Sequence, residues 1–551
     1  MLPTFKLKSS TRKSVSMDRS NRGGFLMLVV CVLLLILISA AYVFSERMLV
    51  SNVASNGAMQ RRQAISLSES GVAYARAKIK TAMAQDEADF DWPIHWSGEV
   101  SFSEKDRFGE FRLAYWDDQS QAWSSGVFDE SCKLNLNQLP LDKLYAPEAR
   151  RMLMCIPGMT LVIADSILDW MDEDDIQRQF GAESSYYRSQ KPARSCRNRR
   201  LATLDELLEV RGVTRELLYG PSLTSPWETT PVLPAEREIT PGQNSVQSID
   251  QRLGFSAYLT VYGGSSVYRR DGNNRVFVNQ DDLVQLYDDL VLAVGEDVAT
   301  YLVAYRMVGP KDKSILVKDQ YVIDDAEKTR NRASQQLGEG SETGEAGTAL
   351  TRVEQRGPLT INTDGGFLIR SPYDLIGVPV EYQSDNGSLL IESPWPENEY
   401  TFRQALPQLH EELTFVLGTP IAAQVNVNQS PVEVLRSIPG ISNDMVARIV
   451  ENREKLGINA RSSKSGTVRK RFSSIDWLRS SGGLSLEEMR ILAPYVTNLG
   501  TAFRFISSGI SHPTGATAHQ EVTLDFRYPE GRISNTRIRE LREMLTARVL
   551  D

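Results

Sequence analysis

The stretch LDWMDEDDIQRQFGAESSYY, residues 168–187, is the densest acidic constellation in the chain. Asp172, Asp174 and Glu183 fall at positions 1, 3 and 12 of a loop of EF-hand length, with Asp169 and Asp175 beside them. Hard cations take carboxylate oxygens, and this spacing lets a loop fold round one ion. The EF-hand pattern fails elsewhere, since Ile176 stands at position 5 and Gln177 replaces the glycine of position 6. The competing reading is a solvated acidic loop that caps a helix. Carboxylates this close repel one another inside a compact domain unless a cation is present, but the spacing alone leaves both readings open.

Other chemistry is sparse. The four histidines, His95, His410, His512 and His519, are scattered, and no HExxH, GxSxG or GxxxxGK[ST] pattern occurs. The chain is therefore not expected to be an enzyme. Its 551 residues, 41% hydrophobic and 24% charged, suit two to four ordinary domains, and a net charge of -8 disfavours a general nucleic-acid binder. Of the four cysteines, Cys31 lies in an apolar run, so Cys132, Cys155 and Cys196 could form one disulfide in an exported chain, with one thiol left over.

The elements that position the acidic loop begin with a membrane segment. Residues 25–44 carry no charge and are long enough to cross a hydrocarbon core. Lys6, Lys8, Arg12, Lys13, Arg19 and Arg22 precede them against Asp18 alone, which keeps the N-terminus cytoplasmic and exports the rest. No proline occurs between Pro3 and Pro93, and apolar residues recur at helical spacing through Ile65, Val72, Ala73 and Ile79. One helix is expected to run on from the membrane, with Gly57 and Gly71 as weak points.

FGEFRLAYW (108–116) alternates as a half-buried strand does. Beyond it the chain repeats itself. CKLNLNQLPLDKL and LMCIPGMTLVIADSILDW (132–170) recur as VNVNQSPVEVL and LRSIPGISNDMVARIVEN (425–452). A degenerate copy spans 275–306, and VRGVTRELL (210–218) looks like one more hairpin. Each full copy places a helix, Ile-Pro-Gly and a second helix, a helix-hairpin-helix pattern in which Gly158 and Gly440 allow the turn. Such motifs often bind DNA, but Thr160 and Ser442 stand where a second glycine would approach phosphate, so packing or protein docking is favoured. Pro-rich and polar linkers lie at 220–243 and 328–348. FSAYLTVYGG and VYRRDGNNRVFV read as strands with a turn at Gly272-Asn273-Asn274. AFRFISSGI is expected to pair with EVTLDFRY, followed by a short helix from Asn535.

Taken together these features resemble the type II secretion system protein K family, the large minor pseudopilins. Arg-Gly-Gly followed by Phe is similar to a prepilin peptidase site, which implies cleavage after Gly24 and a mature chain beginning at Phe25. Val29 stands where most pilins have Glu at the fifth mature position, and the K family commonly lacks that Glu. LNLN, the Asp-Trp-x-Asp-x-Asp loop, GAExxYY, LATLDELLEVRGV and VNVNQSPVEVLRSIPGI are similar to the family's helical insertion.

The resemblance implies an α+β fold: an N-terminal transmembrane helix continuing into a long pilin-like helix, antiparallel strands, and inserted helical domains with helix-hairpin-helix motifs. The boundaries drawn are a leader (1–24), transmembrane helix (25–44), extended helix (45–90), pilin-like strands (91–131), helical domain (132–220), linker and degenerate repeat (221–420), second repeat region (421–500), and C-terminal strands and helix (501–551). It further implies calcium, with Asp172, Asp174 and Glu183 as ligands and Asp169 and Asp175 nearby. The partners implied are minor pseudopilins of the I and J types, the major pseudopilin and the prepilin peptidase. The chain would be a single-pass inner-membrane protein with a periplasmic bulk, helping to export folded proteins from the tip of a pseudopilus. The alternative is a membrane-tethered DNA-uptake receptor using Arg448 and the basic segment 461–472. The middle, about 220–420, is longer than the family pattern.

Overall fold

The computed structural model describes residues 21–84, 97–103, 106–117, 122–141, 146–220, 253–264, 266–269, 271–315, 354–361, 365–384, 387–397, 399–415, 424–455, 474–512, 516–527 and 531–542. The basic leader, both expected linkers and the segment 461–472 fall wholly or almost wholly outside these residues.

With no proline to interrupt it, helix α1 (Asn21–Ala84) is continuous through both Gly57 and Gly71. It is long and apolar enough over its first part to cross a membrane, and that part is exposed among the described residues. From Ala64 onward one stripe is buried: Ala64, Leu67, Ser68, Gly71, Val72, Ala75 and Ile79, spaced as one helical face requires. Ala73, expected on that face, is exposed.

The stripe lies on a seven-stranded sheet built from β1 (Ser97–Ser103), β2 (Asp106–Asp117), β3 (Ala122–Ser125), β4 (Phe128–Asp129), β5 (Ala502–Ser511), β6 (Ala516–Asp525) and β7 (Arg532–Arg542). The order is β1-β2-β5-β6-β7, with β3 on β2 and β4 on β5, and every pairing is antiparallel. Val72, Ala75 and Ile79 pack with Phe111, Leu113, Phe503, Phe505, Val522 and Leu524. The backbones approach closely enough that a Cβ on Gly71 would stand 2.2 Å from Ser507 Oγ, and one on Gly509 2.0 Å from the Ala64 carbonyl. Ser68 and Ser507 exchange hydroxyl-to-carbonyl hydrogen bonds of 2.9 and 2.7 Å across this contact. Gly71 is thus a site of close packing, not a weak point. The helix expected from Asn535 is instead strand β7, paired with β6 from Arg532 to Arg542.

Chain connectivity puts residues 130–501 between two strands that touch, since Asp129 pairs with Phe503. Asp129 Oδ2 accepts from Gly500 N at 2.8 Å and Asn426 Nδ2 at 2.9 Å, and Oδ1 accepts from Ser131 N at 2.8 Å. Next to it, buried Glu130 takes Arg504 Nε at 2.6 Å.

The insert has one continuous core running from Leu134 to Val496, so the regions 132–220, 254–415 and 424–497 are not separate bodies. The three sequence copies share one device. Leu134–Asn135 pairs in parallel with Leu259–Thr260, Val276–Phe277 with Leu413–Thr414, and Val425–Asn426 with Val496–Thr497. In each copy the following asparagine donates Nδ2 to the carbonyl just beyond the partner strand: Asn137 to Val261 at 2.9 Å, Asn279 to Phe415 at 3.0 Å, Asn428 to Asn498 at 3.2 Å. Its Oδ1 accepts from Leu201 N, Ile369 N and Trp477 Nε1 respectively.

Pairs of helices then follow each short strand: α2 (Ala146–Met154) with α3 (Leu161–Met171), and, beyond α4 (Ser184–Ser189) and α5 (Arg215–Tyr219), α6 (Leu283–Val294) with α7 (Glu296–Val308). The last pair, α9 (Val432–Ser437) and α10 (Asn443–Lys455), follows α8 (Glu399–Glu412). Gly158 and Gly440 turn their pairs at φ of 80° and 73°. Around Gly272 the expected hairpin is reduced to a bridge between Tyr268 and Asn274, and the strands beside it are two residues long.

Replacing Asp129 with alanine leaves the Gly500 amide, the Asn426 amide and Ser131 without their acceptor, and is expected to cost about 2–4 kcal/mol, read as a lower melting temperature. Burial pushes the Glu130 carboxyl up, but Arg504 and Lys133 outweigh it and hold its pKa below the usual glutamate range. Its contribution to stability is therefore present above that range and lost as pH falls through the lowered value. Asp129, raised by burial, contributes with the opposite sign. The measurement is the difference between wild type and Glu130→Gln: the variant should be less stable at neutral pH, and the gap should close at acid pH.

Candidate metal centre

Helix α3 carries the site. Thr160 caps its N-terminus, with Oγ1 accepting from Ile163 N at 3.3 Å, and Ile163, Ala164, Ile167, Leu168 and Trp170 are sunk in the insert core. Burial takes three polar side chains down with them: Asp165, Ser166 and Asp169 are all fully buried. Asp165 is neutralised by a two-pronged pair with Arg150, Nε at 2.6 Å and Nη2 at 2.9 Å. Asp169 sits one turn later, and Asp172 is the residue that ends the helix.

The chain then loops out and returns at Glu183, the residue before α4. The Glu183 side chain does not cap that helix. It turns inward, so that carboxylate oxygens of Asp169, Asp172 and Glu183 lie within 4.8 Å of one another. Close backbone approach makes this possible: a Cβ on Gly181 would fall 1.9 Å from Asp169 Oδ2.

Of the five carboxylates expected to act together, the structure gathers Asp169, Asp172 and Glu183, but not Asp174 or Asp175. Those two hold the loop: Asp174 Oδ1 accepts from Ile176 N at 2.8 Å, and Asp175 Oδ1 from Ser184 N at 3.3 Å. The EF-hand analogy therefore fails at position 3 as well as at 5 and 6. Sequence reasoning missed Gly181 and Arg178. Arg178 Nη1 donates to Asp169 Oδ1 at 2.8 Å and to Asp172 Oδ2, and its backbone N–H also faces Asp169. The available signal was a lone base within the acidic run DEDDIQRQ.

The electrostatics are unbalanced. Glu183 is 2% exposed and neither carboxyl oxygen has a hydrogen-bond partner, nor does Asp172 Oδ1. Burial, then the charges of Asp169 and Asp172, push the Glu183 pKa up to about 8, and burial lifts Asp172 to about 6 and Asp169 above its usual range. Cys196, whose Sγ donates to the Asp169 carbonyl at 3.5 Å, is driven to about 12 by burial and by Glu183. Three orphaned buried oxygens on an all-carboxylate set fit a hard divalent cation. All four cysteines are free, so the expected disulfide is not formed.

The basic residue offered for nucleic acid is otherwise engaged. Arg448 pairs with Asp444 at 2.9 Å and with Glu488, and nothing supports a DNA receptor.

A long apolar helix laid on a sheet, with a large acidic-centred insert between two of its strands, defines a helix-anchored α+β protein. The family model "Type II secretion system (T2SS), protein K", first domain, matches residues 132–219, which contain the whole acidic site. Over 60 residues the chain is 42% identical to "Putative type II secretion system protein K" of Escherichia coli (strain K12), a stretch of 11% of this chain and 18% of that one. The matched stretch thus spans under a fifth of the curated relative. A further likeness is to the crystal structure of the GspK-GspI-GspJ complex from the enterotoxigenic Escherichia coli type 2 secretion system, with 9% identity, 88% of this chain, 99% of that chain and a TM-score of 0.34. Residues 132–219 are thus similar to the first domain of the type II secretion system protein K family.

Gly181→Ala forces Asp169 or the loop to move. It is expected to lower stability by about 1–3 kcal/mol and to scatter the three carboxylates, with the cost read in thermal melts.

Proposed function

We propose that the chain is a minor pseudopilin of a type II secretion system, assembling at or near the tip of a periplasmic pseudopilus to promote export of folded proteins. The observation that carries this reading is the protein K domain at 132–219. Its position agrees with the role: the domain hangs from a sheet on a helix long enough to cross a membrane and continue beyond it, and no reaction is asked of the protein. The proposal includes single-pass insertion with the bulk periplasmic, cleavage by prepilin peptidase after Gly24, and assembly with I- and J-type and major pseudopilins. The solved structure named above is a complex of K, I and J components, which makes those the first partners to test. The helix-hairpin-helix pairs serve here as packing units.

Calcium is the proposed ion, with Asp169, Asp172 and Glu183 as its protein ligands. When bound it would supply two positive charges to a cluster that lacks them and tie the end of α3 to the start of α4.

The mature N-terminus, measured by mass spectrometry on protein from its own membrane, should begin at Phe25, and the purified chain should co-elute with I- and J-type pseudopilins. A chain beginning at Met1 that binds neither would sink the proposal. For the metal, chelator should lower the melting temperature of wild type by several degrees and leave Glu183→Gln unmoved.

A further inference from the structure

The acidic centre already holds one positive charge, and the way it is held differs from the other buried pair on the same helix. Arg150 grips Asp165 with two nitrogens, Nε and Nη2, in a fork that satisfies both carboxylate oxygens. Arg178 reaches Asp169 and Asp172 with one nitrogen, Nη1. That single group serves two carboxylates and leaves Glu183 and Asp172 Oδ1 without a donor. The Arg178 side chain is 12% exposed, so it keeps some contact with solvent, whereas the Asp169 side chain has none.

We propose that Arg178 is an internal, displaceable cation that occupies the divalent-cation site in the metal-free protein and leaves it when the ion enters. This rests on the cation site proposed above and adds its regulation.

The argument is one of exclusion and satisfaction. A divalent ion bound by oxygens that lie within 4.8 Å of one another would sit within a few ångströms of Nη1, and two cations so close in a buried setting repel strongly. The ion satisfies all three carboxylates where the guanidinium satisfies two in part. The guanidinium in turn offsets part of the mutual repulsion of the carboxylates when no ion is bound. Competition of this kind weakens the apparent affinity for the ion, because each binding event must also release the Arg178 contacts. It sets a threshold: the loop from Asp172 to Glu183 stays latched by Arg178 at low ion concentration and exchanges that latch for the ion at high concentration.

The test is calcium titration by calorimetry on the full chain in detergent, wild type against Arg178→Gln, with calcium and chelator melts of both. The variant should bind calcium about tenfold more tightly or better, and its melting temperature should gain more from calcium than wild type gains, since its metal-free cluster has no counter-charge. Wild type that binds while the variant binds equally or more weakly overturns the competition and leaves the metal site standing. No binding by either protein overturns the metal site itself. Binding by the variant alone would make Arg178 a permanent counter-ion and also overturn the exchange.

Should Arg178→Gln fail to fold, wild type alone decides. The rate at which phenylglyoxal modifies Arg178, followed by peptide mass spectrometry, should rise when calcium is added and stay constant in Glu183→Gln. An unchanged or slower rate in calcium-bound wild type refutes displacement.

Discussion

Everything between residues 130 and 501 hangs from a single constraint: the chain must leave the sheet at Asp129 and rejoin it beside the point of departure. The Asp129 carboxylate meets that constraint by accepting from Ser131 at the exit, Gly500 at the return and Asn426 inside the insert. Glu130 repeats the arrangement one residue on, pairing with Arg504 of β5 and taking the Thr260 hydroxyl. Two adjacent buried carboxylates thus bind the sheet, the first copy's parallel strand pair and the last copy into one junction. Because closing a loop costs little more as it lengthens, an insert pinned at its root can be large without disturbing the helix and sheet that support it. The copy at 275–306 follows the same logic: it is built into the same core and joined through Asn279 as the others are through Asn137 and Asn428.

Features governed by periodicity and repetition were legible in the sequence. Helix α1 follows from a proline-free apolar run, strand β2 from its alternation, and the helix pairs from two Ile-Pro-Gly turns. What failed was set by distant contacts. Residues 532–542, RISNTRIRELR, have a composition compatible with a helix, and edge pairing with β6 overrides it. Gly71 carries no local sign that Ser507 will lie against it, because its partner is more than four hundred residues away. Within the acidic loop, spacing singled out five carboxylates but could not say which three would converge. Asp172 and Glu183 turn inward, whereas Asp174 accepts from Ile176 N and Asp175, beside Glu183, accepts from Ser184 N.

Helix α1 divides into two surfaces with different demands. From Ala64 to Ile79 its buried stripe mixes large and small residues, and Ser68 and Gly71 bring helix and strand to near-backbone contact. A bulky residue there would lift the helix from the sheet and open the core of Phe111, Phe503 and Phe505. Above Ala64, Phe25, Leu35, Phe44, Met48 and Leu49 are all exposed, a surface that lipid or other apolar helices must cover. The sheet therefore grips only the distal part of the helix and leaves the rest for another environment.

The placement of the acidic centre concentrates negative charge at the end of one helix. Helix α3 ends at Asp172 with Asp169 in its last turn and no basic residue there, so two carboxylates face the negative end of a helix dipole. That arrangement is unfavourable by about 0.3–1 kcal/mol for each charge in an exposed helix, and burial removes the water that would soften it. Glu183 adds a third negative group from across the loop. Helix α3 carries no basic residue of its own, and Arg150 of α2 is already committed to Asp165. Positive charge must come from the loop, as Arg178 provides in part, or from solution. Burial and the neighbouring carboxylates push Glu183 up to about 8 and Asp172 to about 6, the direction expected where the loop offsets their charge only in part.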